Sequence, residues 1–145
     1  MLLREEHREI VTFIRDRKLW PLQNYLLKRV DAVFILVAEA EDGIGPQLFQ
    51  DWLIEGKDPQ DIIERFRREG FDVGTNKAFE YARAMTKGRL IIVSENVDKE
   101  QIRRMKMECV STLQEAIDMV TKEKKLEQVI VLPKAVNIIP HFADN

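Results

Sequence analysis

The chain has 145 residues, 45% hydrophobic and 33% charged, with a formal net charge of −2. That length suits one domain with a sizeable core, and the balanced charge gives no global basic field of the kind nucleic acid or an anionic membrane attracts. Lone Cys109 excludes an internal disulfide framework and fits a reducing cytoplasm, the charged Arg4-Glu5-Glu6 comes too early for a signal peptide, and no apolar run nears the roughly 18 residues of a membrane span.

In chain order, Leu3, His7, Ile10 and Ile14 recur at helical spacing among charged residues, which predicts an amphipathic helix over about 3–17. Trp20-Pro21 breaks it, and a second helix is expected through Tyr25, Leu26 and Val30. The continuous apolar run Val33-Phe34-Ile35-Leu36-Val37-Ala38 predicts a strand buried on both faces, as in parallel sheets. It runs into Glu41-Asp42-Gly43-Ile44-Gly45-Pro46, a glycine turn with proline placed for the start of a helix. Leu48, Phe49, Trp52 and Leu53 form that helix's apolar stripe.

Asp58-Pro59 is a strong helix start, Ile62, Ile63 and Phe66 face inward from it, and Gly70 ends it. A helix over about 76–86, with Thr75 or Asn76 as cap, precedes the strand Leu90-Ile91-Ile92-Val93. Asp98 caps a short helix over 99–105, and Glu108-Cys109-Val110 reads as a brief strand. Ser111-Thr112-Leu113-Gln114 resembles a capping box opening a helix to about Lys124. Val129-Ile130-Val131-Leu132 is the last strand, stopped by Pro133. The alternation predicts an α/β fold: a Rossmann-like, open, mostly parallel sheet of about four strands flanked by helices over 31–145, with residues 1–30 as an N-terminal helical appendage.

The chemistry-bearing residues are few. His7 and His141 belong to no ligand spacing and Cys109 stands alone, so no metal site is expected in this chain. Ser94 and Ser111 have no histidine base nearby in sequence, so no catalytic residue is assigned. Gly43-Ile44-Gly45 lacks the third glycine of a dinucleotide fingerprint, with Gln47 and Leu48 following instead. The turn either binds an anion through exposed N–H groups or simply needs glycine to pass from strand to helix. Lys77 falls in the first turn of its helix, where the dipole prefers anions, so it is either a surface lysine or a partner for a substrate carboxylate.

The order of these pieces resembles the C-terminal domain of nickel-dependent lactate racemases. Glu41-Asp42-Gly43-Ile44-Gly45 with Phe49 and Trp52 is similar to that domain's opening, and Gly74-x-x-Lys77-Ala78 with Ala82-Arg83 to its Gly-Gly-His-Lys-Ala segment. Ile91-Ile92-Val93-Ser94, Ser111 to Ala116, and Val129 to Pro133 follow in the family's order, so the resemblance spans about 33–140. This chain departs from it in having Asn76 for the histidine, and Lys134-Ala135-Val136 where the family has Glu-Gly-Gly.

The resemblance implies a substrate-cleft domain of a 2-hydroxyacid racemase or epimerase, an isomerase, with Gly43, Gly45, Asn76 and Lys77 lining the facing surface. It implies no cofactor in this chain. The nickel-pincer nucleotide would sit on an N-terminal catalytic domain of the same or another chain, so the 145 residues alone are expected to be inactive. A different class stays open: a small non-enzymatic α/β binding or assembly module whose helix at 3–17 packs against a partner or a second copy in a homodimer.

Overall fold

The computed structural model describes residues 2–3, 12–16, 32–123, 129–131 and 141–142. Its strands are β1 (Leu2–Leu3), β2 (Thr12–Asp16), β3 (Ala32–Ala38), β4 (Gly88–Val93), β5 (Glu108–Val110), β6 (Ile130–Val131) and β7 (His141–Phe142). Its helices are α1 (Gln47–Glu55), α2 (Pro59–Glu69), α3 (Thr75–Met85), α4 (Lys99–Arg104) and α5 (Leu113–Glu123). The main sheet has the order β5-β4-β3-β2-β6 and every pairing in it is parallel. β1 and β7 form a separate parallel pair.

Period-two alternation sorts the strands' side chains onto two faces. Phe34 and Leu36 of β3, Leu90 and Ile92 of β4 and Cys109 of β5 join the larger core, with Phe49, Trp52, Ile62, Tyr81 and Ile102 from α1 to α4. Val33, Ile35, Ile91 and Val93 turn the other way and pack on Ala116 and Val120 of α5. Both faces are covered, which is why these strands read as unbroken apolar runs. The open, parallel, Rossmann-like α/β architecture is the expected one.

The helix expected over 3–17 is not what forms at 12–16. Thr12–Asp16 is a strand, paired along its length with Phe34 to Ala38. The contiguous run Ile10-Val11-Thr12-Phe13-Ile14 is β-branched and aromatic, and β2 lies between β3 and β6, where such residues suit an interior strand. The apparent helical period came from sampling that run every three or four residues. The helix expected through Tyr25, Leu26 and Val30, and the segment 133–140, lie outside the described residues.

Cap positions also moved. α5 is opened by Thr112, whose Oγ1 accepts from Glu115 N–H at 3.2 Å, while Glu115 Oε2 accepts from the N–H of Ser111 at 2.9 Å and of Thr112 at 3.3 Å. The capping box is therefore Thr112 with Glu115, one residue along from Ser111 with Gln114. α2 starts as expected: Asp58 accepts from Asp61 N–H at 2.9 Å and Pro59 takes the first helical position.

Candidate functional site at the carboxyl edge of the sheet

A turn carries the chain from β3 into α1. Gly43 N–H donates to Ala40 O at 2.9 Å and closes it. Gly43 and Gly45 have φ of 83° and 129°, so the sequence needs glycine at both positions. Ala40 shares the left-handed region at 51° while buried, and Ile44 inserts its side chain into the larger core. Glu41, Asp42 and Gly43 stay exposed at the rim.

Side chains hold this turn at both ends. Asn96 Nδ2 donates to Glu39 O at 2.8 Å, and Ser94 Oγ donates to the same oxygen at 3.5 Å. Gln50 Nε2 donates to Gly45 O at 2.7 Å, and Gln101 Nε2 of α4 donates to Gln50 Oε1.

The second predicted segment lies alongside. Gly74, at φ 105°, backs onto the first turn of α1: a Cβ there would sit 3.3 Å from Phe49 N and 3.6 Å from Leu48 Cβ. The N-terminal end of α3 is thus placed against the N-terminal end of α1, the helix that the Gly43–Gly45 turn opens. Neither Thr75 nor Asn76 caps α3, correcting the expectation. Both reach back into the preceding loop: Thr75 Oγ1 accepts from Asp72 N–H at 2.8 Å, and Asn76 Oδ1 accepts from Gly74 N–H at 3.3 Å. Lys77 is half-buried in the first turn, its N–H donating to Gly74 O at 3.1 Å.

The helix ends differ in charge. α2, α4 and α5 carry Asp61, Glu100 and Glu115 in their first turns, as the dipole favours. α1 and α3, the adjacent pair, have no acidic residue in the first turn and no side-chain cap. Phe49 N–H already donates to Pro46 O and Asn76 N–H to Asp72 O, so what the two ends present at the rim is the partial positive charge of their dipoles.

The described residues suit a metal poorly. Among them no group of three or more His, Cys, Asp or Glu comes together. Cys109 is buried in the core, and burial pushes its thiol up, against a smaller downward pull from Lys99 and Arg103. That donor set does not fit a nickel cofactor. Among the described residues no helix is long and apolar enough to cross a membrane.

Gln50 and Asn96 were not singled out from the sequence, and Ser94 was weighed there only as a nucleophile. Gln50 had a readable signal, since it is an amide set between Phe49 and Leu53 on a core-facing stripe. The bonds of Ser94 and Asn96 to Glu39 O had none, because they join residues more than fifty positions apart.

Fold and rim together define an open parallel α/β domain with its candidate site beyond the carboxyl end of a strand. The sequence model described as the lactate racemase C-terminal domain matches residues 25–140, and the chain belongs to that family. It is 30% identical over 111 residues to a lactate racemase of Thermoanaerobacterium thermosaccharolyticum, covering 74% of this chain and 25% of the relative. The chain therefore spans about a quarter of that curated relative's length. The solved lactate racemase apoprotein from the same organism has a similar fold, with a TM-score of 0.74 and 21% identity over 97% of this chain and 37% of that one.

Proposed function

We propose that this domain forms the substrate-side lip of the cleft in a nickel-dependent 2-hydroxyacid racemase or epimerase, without carrying the chemical step. The supporting observation is the side-by-side placement of the α1 and α3 N-termini, both without acidic first turns. Gly43 and Gly45 shape one end of this rim, and Asn76 and Lys77 the other. A substrate carboxylate would be drawn by the partial positive charge of the two helix ends and take its counter-charge from Lys77.

The nickel-pincer nucleotide, which supplies a hydride acceptor when bound, belongs in this reading to an N-terminal catalytic domain of the same or another cytoplasmic chain. The contribution of the present residues is binding, orientation and exclusion of water on closure. The competing assembly-module reading relied on a helix at 3–17, and Thr12–Asp16 is a strand inside the sheet.

Titrating the 15N-labelled chain with lactate tests the proposal. Amide shifts should concentrate at 43–49 and 74–77, and Lys77→Met should weaken binding several-fold. Shifts confined to other surfaces, or none at all, would rule out this rim as the carboxylate site.

A further inference from the structure

Gln50 is 9% exposed and sits among apolar side chains of α1. A primary amide in such a place is costly unless both of its polar ends are met. Here both are: Nε2 donates to Gly45 O at 2.7 Å, and Oε1 accepts from Gln101 Nε2 of α4. The buried amide thus joins the glycine turn to a helix more than fifty residues further along the chain.

We infer that Gln50 is a positioning residue that sets the electrostatic face of the rim. This rests on the carboxylate-binding reading above. The Pro46 ring fixes one side of the Gly45–Pro46 peptide, so the freedom to turn its oxygen lies on the glycine side, where no Cβ restrains it. Pro46 follows Gly45 and has no N–H, so that peptide contributes only its oxygen. Gln50 holds the oxygen turned into the protein. Released, it would swing toward the rim and place partial negative charge where the α1 and α3 N-termini would receive an anion. Gln101 acts one step removed, by fixing the Gln50 amide.

The test uses the whole chain, 15N-labelled, as wild type, Gln50→Met and Gln101→Leu. Methionine keeps the stripe packed and removes only the amide. Two quantities are read: hydrogen exchange of the Gly43 amide, which closes the turn, and lactate affinity from amide shifts. Gln50→Met should speed Gly43 exchange and weaken lactate binding, each by up to about tenfold, the scale of one lost hydrogen bond. Gln101→Leu should move both the same way by less.

A turn that loosens with no change in affinity, or Gly43 exchange that does not change, would overturn the inference. If wild type shows no lactate shifts at all, the carboxylate reading fails separately, and Gly43 exchange alone decides whether Gln50 holds the turn. Should Gln50→Met not fold, Gln101→Leu carries the same comparison with the same signs.

Discussion

Gly74 brings the two halves of the candidate site together by having no side chain. Its left-handed backbone would strain any L-residue by about 1–2 kcal/mol. The atom a methyl would meet is Phe49 N, part of a helix backbone that cannot step aside as a flexible side chain could. Gly74→Ala is therefore expected to destabilise the fold by about 1–3 kcal/mol, a fall of several degrees in melting temperature. An alanine variant that melts with the wild type would mean that α1 and α3 are not in this contact. Lys106 is the mirror case: at φ 66° it accepts left-handed strain and sends its ammonium to the Leu53 and Ile54 carbonyls, at the end of α1 where the dipole favours a cation.

Among the elements, one clamp ties the far side of the sheet. Arg89 of β4 grips Glu108 of β5 with two donors, Nη2 to Oε2 at 2.6 Å, and its Nη1 reaches Glu123 Oε2 of α5 at 2.5 Å. The Glu108 carboxylate, reinforced by Glu123, pushes the guanidinium pKa above its already high ordinary value, so the Arg89 side chain stays cationic. Forked, half-buried pairs exceed the usual surface ion pair. Arg89→Met should cost about 1–2 kcal/mol, read as a lower urea midpoint at unchanged slope, and the deficit should shrink in concentrated salt. A deficit that ignores salt would assign the effect to packing instead.

The elements also show what the sequence could and could not reveal. β3 and β4 were legible because strands covered on both faces leave unbroken apolar runs, and α2 because Asp58-Pro59 is strong local chemistry. β2 was misread because charged neighbours on both sides imitated an amphipathic wheel. The α3 cap was misassigned because Thr75 and Asn76 bond backward, a choice made by the 72–74 loop and not by helix propensity. At the site, the glycine turn announced itself. The contact of Gly74 with Phe49 could not, since it joins segments through a packing that no local pattern encodes.

For the whole molecule, family membership and the donor set lead to one expectation. The 145-residue chain, loaded with nickel and then dialysed, should retain no stoichiometric metal and should not racemise lactate. Metal analysis and chiral assay check this, and tightly held nickel with turnover would refute the division of labour proposed above.

The path from β3 to β4 has a consequence for how the chain folds. These strands are partners from Ala32 with Gly88 to Val37 with Val93, yet α1, α2 and α3 all intervene. Closing so long a loop costs entropy before any strand pairing repays it, and non-local pairing of this kind slows folding. The aromatic contacts Trp52–Phe66, Phe66–Phe79 and Phe49–Tyr81 lie wholly within the three helices. If the helical excursion collapses first on its own aromatic rings, the effective loop shortens and the pairing of β3 with β4 follows as the later event.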